Sequence, residues 1–200
     1  YANLIWTLLD YRNFSEAAPL VDEALDYAIK RELPGAEYYL RAERARLRFA
    51  TGDWPGAEAD VEWVMARPEA PGITRRPAMA TRAQLHVRRG DPDAASGVDL
   101  ARRLAEPTGE LQRTVPVSIA AAELAWLSGD TAGAAAAVHA THDEASEAGQ
   151  PWIVDELAFW RWRGGADVAP PESSETPYVV QIRGDWKAAA DAWEHIGCPY

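Results

Sequence analysis

His139, His142, Asp143 and Glu144 put two imidazoles and two carboxylates within six residues. His139 and His142 stand three apart, the spacing at which side chains share a helix face. Zinc would take both imidazoles and still need one or two further ligands in an enforced geometry. The polar outer face of a helix accounts for the same four residues, so no metal is assigned. His86 and His195 stand alone in the sequence. Cys198 has only His195 close by, three residues back, and Pro199 follows it. That is not the oriented nucleophile–base pair that covalent catalysis requires. The acid pairs Asp22-Glu23 and Asp143-Glu144 are sequence neighbours, which do not face each other across a cleft on a helix. Arg89-Gly90-Asp91 and Arg183-Gly184-Asp185 match an integrin-binding tripeptide, but both glycines and both aspartates have a structural use. No catalytic residue and no cofactor is assigned, and the chain reads as non-enzymatic.

That structural use is a hinge. Gly52-Asp53-Trp54 precedes Ala57 and Val61, with helical periodicity on both sides. Glycine suits the left-handed position that ends a helix. Aspartate suits the N-cap that starts the next one. The device recurs at Gly90-Asp91-Pro92, Gly129-Asp130-Thr131 and Gly184-Asp185-Trp186, with a degenerate copy at Arg12-Asn13-Phe14. The hinges fall at 12, 52, 90, 129 and 184, so successive copies are 40, 38, 39 and 55 residues apart. A fixed period of this kind predicts an array of helical hairpins.

Composition agrees. Hydrophobic residues make up 48%, enough for a core. The 31 acidic against 20 basic residues give a net charge of −11, which opposes nucleic-acid binding. A local patch at Arg75, Arg76, Arg82, Arg88 and Arg89 reads as a solvated helix face. No apolar run approaches the roughly 18–20 residues that span a bilayer. With a single cysteine and no signal-peptide pattern, the expected location is cytoplasmic. The chain reads as a piece of something longer.

The elements follow in order. Five hairpins are expected at about 1–33, 36–67, 73–106, 110–149 and 151–200, forming one repeat domain. A linker-like stretch lies at 164–176. Pro19 is expected in the first turn of its helix, Pro92 at a first helical position, and Pro116 at a start or kink. Leu33-Pro34-Gly35 is expected to end the first hairpin. Trp54 and Trp186 should pack at hinges and Trp193 in a core slot.

The hinge pattern resembles the tetratricopeptide repeat. Phe14, Ala17, Val21 and Ala24 match its aromatic–Ala–large–Ala series, as do Trp54, Ala57 and Val61, with Val64 an approximate match at the last alanine position. An alanine seven residues before the hinge glycine recurs as Ala45, Ala83 and Ala122. The period of 38–40 is longer than the usual 34. The resemblance implies an all-α right-handed superhelix of stacked antiparallel hairpins. It also implies a concave groove lined by Trp6, Leu9, Tyr39, Arg46, Phe49, Gln84, Arg88, Ile119, Glu123 and Trp126. Such a mixed aromatic and polar surface would take a peptide or protein segment, or a small polar inducer.

A narrower likeness lies at the end of the chain. Gly184-Asp185-Trp186-Lys187-Ala188-Ala189, Trp193 and Gly197-Cys198-Pro199-Tyr200 resemble the repeat region of large ATP-binding LuxR-type (MalT-like) regulators. The Ala- and Arg-rich composition is similar to that of high-GC bacterial proteins. This resemblance implies a sensing or coupling segment between an ATPase and a helix-turn-helix domain, contacting neither nucleic acid nor membrane itself. The chain carries no phosphate-binding Gly-x-x-x-x-Gly-Lys-Ser/Thr, so no ATPase or DNA-contact residue is carried over. A stand-alone protein–protein adaptor and a metal-dependent helical enzyme are the alternatives.

Overall fold

The computed structural model describes residues 1–199. Eleven α-helices and one short 3-10 turn make up the described chain, and no strand occurs among the described residues. None of these helices is long and apolar enough to cross a membrane. By compactness the chain divides into two units: residues 1–85 with the segment from Glu194, and residues 86–193.

The hinges turn as their residues require. Gly52, Gly90, Gly129 and Gly184 adopt φ of 87°, 69°, 84° and 93°. Arg12, which replaces glycine at the first hinge, adopts 58°. For a residue with a Cβ this left-handed conformation costs about 1–2 kcal/mol. Asp53, Asp130 and Asp185 each accept a hydrogen bond from the N–H three residues on, at 3.0, 2.8 and 3.0 Å. The repeat alanines are buried as close helix contacts demand: Ala17, Ala57, Ala134 and Ala189, and likewise Ala45, Ala83 and Ala122.

The first unit holds α1 (Ala2–Asp10), α2 (Phe14–Lys30), α3 (Pro34–Ala50), α4 (Trp54–Met65) and most of α5 (Gly72–Arg89). Ile5, Leu9, Phe14, Val21, Leu25, Leu40 and Leu47 form one core, against which Ile196 and Cys198 pack. Phe49, Ala57 and Leu85 form another beneath Trp54. Asp60 on α4, only 2% exposed, accepts four side-chain hydrogen bonds. Arg44 grips it with two bonds of 2.8 and 2.7 Å, and Arg48 and Arg41 add bonds of 2.8 and 3.3 Å. All three arginines lie on α3, so this carboxylate fixes the register of the α3–α4 hairpin. Its hydrogen bond to Arg44 raises that guanidinium's pKa further.

The second unit holds α6 (Ala94–Ala105), a 3-10 turn (Glu106–Thr108), α7 (Leu111–Leu127), α8 (Thr131–Ala148), α9 (Pro151–Arg163), α10 (Pro177–Ile182) and most of α11 (Trp186–Ile196). Its core includes Val115, Ile119, Val138, Ile153, Leu157 and Trp160. A Cβ on Gly164 would lie 2.5 Å from that of Ala135, so only glycine lets the end of α9 approach α8 this closely. The segment 164–176 is tied down. Buried Asp155 on α9 accepts hydrogen bonds from Ser174 at 2.5 Å and Thr176 at 2.8 Å. Phe159, Tyr178 and Trp193 then step from α9 through α10 to α11 at ring separations of 5.6 and 4.8 Å.

Several local expectations are corrected. Pro34 and Gly35 do not end the first hairpin but open α3, with proline in the first turn, where it lacks no needed donor. Pro92 lies in the turn before α6, which starts at Ala94. Pro19 stands beyond the first turn of α2, as its sixth residue, and Pro116 and Pro77 are likewise the sixth residues of α7 and α5, so Pro116 does not start its helix. Trp186 is 72% exposed, so it packs no hinge corner.

Two substitutions test the hinge geometry. Ala57→Leu should overpack the α3–α4 contact and cost about 1–3 kcal/mol. Gly129→Ala meets open space, so its expected cost of about 1 kcal/mol arises from φ alone. Urea midpoints equal to the parent's in both variants would show the hinge assignment to be wrong.

Candidate functional site

Three residues that the tetratricopeptide pattern puts on the recognition face are charged, Arg46, Arg88 and Glu123, and the structure gives each a partner. Asp10 lies two residues before the first hinge and pairs with Arg46, six before the next. Arg88 lies two before its hinge and pairs with Glu123, again six before the next, with contacts of 3.0 and 3.3 Å. The two clasps occupy the same register with their charges exchanged. Glu43 and Glu123 are almost wholly buried. Arg46 also approaches Glu43 at 3.8 Å. A buried carboxylate without a cation would be costly, so these arginines hold the repeats together whatever else they contact.

The remaining predicted residues divide between the units. In the first, Trp6, Tyr39 and Gln84 are half-buried on α1, α3 and α5. Phe49 is buried with Ala57 and Leu85. In the second, Trp126 is half-buried on α7, with the Arg163 guanidinium 4.1 Å from its ring centroid. Trp6, Tyr39, Arg46, Phe49 and Gln84 thus belong to one unit, and Arg88, Glu123 and Trp126 to the other.

The histidines are arranged differently from their sequence pattern. His142 Nδ1 lies 3.1 Å from an Arg161 nitrogen, a position where a guanidinium opposes a metal cation. His139 is exposed, 3.9 Å from Asp143. His86, isolated in the sequence, is not isolated in space. Its ring shares a cluster with Asp91 and Asp93, their ligand atoms all within 4.8 Å, and its Nδ1 is 3.1 Å from Asp93. The cause is the late start of α6. Asp91 is no longer positioned to cap the helix, and Asp93, at the N-cap, makes no side-chain cap bond. The positive end of α6 stabilises these carboxylates without any ion. A shortened spacing between the hinge and its alanine was the one sequence signal that this hinge departs from the others.

No protein-family model matches the chain, and neither does any curated protein or solved structure.

The clasp has a measurable signature. Arg88→Ala leaves Glu123 buried without this partner and should destabilise the protein by about 3–5 kcal/mol. Replacing both residues, as Arg88→Met with Glu123→Leu, should recover most of that loss in a chemical-denaturation series. A double variant as unstable as Arg88→Ala would show that the pair contributes no mutual compensation.

Proposed function

We propose that this chain is a non-catalytic binding and coupling module, the repeat region of a cytoplasmic, ATP-dependent LuxR-type transcriptional regulator. What carries the reading is the repeated hinge: a left-handed residue, a capping aspartate and a buried alanine at a period near 39. The late chain motif supplies the likeness to regulators. Half-buried Trp6, Tyr39 and Gln84 on first helices of the first unit, and separately Trp126 on α7 of the second, are the residues offered to a peptide segment or a small polar inducer.

Coupling in this reading is a difference in affinity. A ligand that binds one arrangement of the hairpins better than another shifts the population between them. The same free energy then biases the neighbouring ATPase and DNA-binding domains. The clasps between first helices are the natural elements for two discrete arrangements, because an ion pair is either made or broken.

In the full-length protein, Trp6→Ala and Gln84→Ala should each impair the response of a reporter to inducer while leaving the melting temperature near the parent's. These two residues are chosen because neither belongs to a clasp. Normal induction in both variants rejects this surface, and a reading frame lacking a P-loop upstream and a helix-turn-helix downstream leaves the stand-alone adaptor. The chain itself, with its net charge of −11, should show no duplex-DNA binding at physiological salt in a mobility-shift assay. Micromolar binding would redirect attention to the arginines of α5.

A further inference from the structure

Acids outnumber bases by 11 in this chain, and its buried or half-buried arginines are generally claimed by carboxylates. Arg163, like Arg67, Arg75, Arg76 and Arg161, has no carboxylate partner among the described residues, and it is set apart by its aromatic surroundings and its buried Nε. It stands in the last turn of α9, and its guanidinium lies 4.1 Å from the Trp126 ring centroid and 5.5 Å from that of Phe159. Its Nε is buried with no hydrogen-bond partner. Among the described residues, no ion pair or hydrogen bond reaches either terminal nitrogen.

The neighbours explain why. Glu123, one turn before Trp126 on α7, is held by Arg88. Arg161, two residues before Arg163, is directed to His142 instead. The carbonyl end of α9 favours a cation there but contributes only a fraction of a charge. The result is a guanidinium stacked on aromatic rings, stripped of water at Nε, and short of counter-charge. Aromatic stacking fixes its plane, so its two terminal nitrogens form a preset fork that matches a planar carboxylate.

We propose that the terminal edge of Arg163, backed by Trp126, binds a carboxylate of the ligand or partner peptide. The proposal rests on the reading of the α7 face as a recognition surface and names the chemistry recognised there. The surrounding negative charge does not preclude it, because exposed charges beyond about 8 Å are largely screened at physiological salt. It also gives Trp126 a role: the ring orients the arginine and leaves its fork outward.

The test follows two signals by nitrogen-15 NMR: the Arg163 Nε–Hε signal, identified by its loss in Arg163→Lys, and the Trp126 indole N–H signal, which both Arg163 variants retain. Sodium acetate and sodium phenylacetate are titrated at constant ionic strength against sodium chloride, with phosphate as a tetrahedral comparison. A peptide ending in a free carboxylate is compared with its amide. The expected result is a saturable shift with the carboxylates and the acid peptide, weakened about tenfold or more in Arg163→Lys and in Arg163→Gln. Trp126→Phe, which keeps a ring, should weaken it less. Should Arg163→Gln unfold, Arg163→Lys carries the comparison. A chloride shift equal to that of acetate, tighter binding of phosphate than of any carboxylate, or no saturation by 100 mM, roughly the weakest binding one fork could offer, would overturn the proposal. If it fails while Trp6→Ala and Gln84→Ala still impair induction, the binding-module reading stands without this anion site.

Discussion

A carboxylate taken out of water must find its counter-charges or donors within the protein. Four among the described residues do so, and each governs how elements meet. Asp60 draws three arginines of α3 onto α4. Glu123 holds Arg88 of the preceding first helix. Glu43 lies beside Arg46, whose other partner is Asp10 on α1. Asp155 collects two hydroxyls from the stretch that would otherwise wander between α9 and α10. Apolar packing of alanines and valines is tolerant of a small slide along a helix. A bidentate arginine on a buried carboxylate is not, because its two bonds are set within tenths of an ångström.

This explains what could be read from the sequence and what could not. The hinges were legible because glycine, aspartate and alanine act locally: each reports a backbone state or a close approach at its own position. Even Arg12 could be placed in a left-handed turn by alignment alone. The partners of the buried acids were not legible. Helical periodicity assigns a residue to a face, but it says nothing about which charge lies opposite. Asp60 meets arginines 12 to 19 residues away, and Asp10 meets one 36 away. The same limit hid the His86 cluster, which depends on α6 beginning at Ala94 and not at Pro92. Trp186 failed for a different reason: the motif places an aromatic there, but α11 buries little more than Ala189.

The exchanged polarity of the two clasps bears on how neighbouring hairpins recognise each other. In the first unit the acid comes from the earlier helix and the base from the later one. In the second the order is reversed. A hairpin carrying an acid at both positions would repel one of these neighbours, so each pair admits its own sequel and discourages a shuffled order. Repeats built from near-identical hinges need some such discriminator, since their alanine contacts are interchangeable.

The packing of Ile196 and Cys198 against the core made by Ile5, Leu9 and Phe14 makes the first unit discontinuous in sequence. Its last segment leaves the ribosome more than a hundred residues after the rest. Closing so long a loop in an unstructured chain costs on the order of 4 kcal/mol in entropy, and the cost rises only slowly with length. Residues 86–193, by contrast, are continuous and can condense through local contacts. Once they have done so, the loop they form is no longer a flexible one, and most of the closure penalty on the first unit disappears. The order of assembly is thereby biased: the middle of the chain consolidates before its two ends are joined, and the half-buried Cys198 is among the last residues to pack.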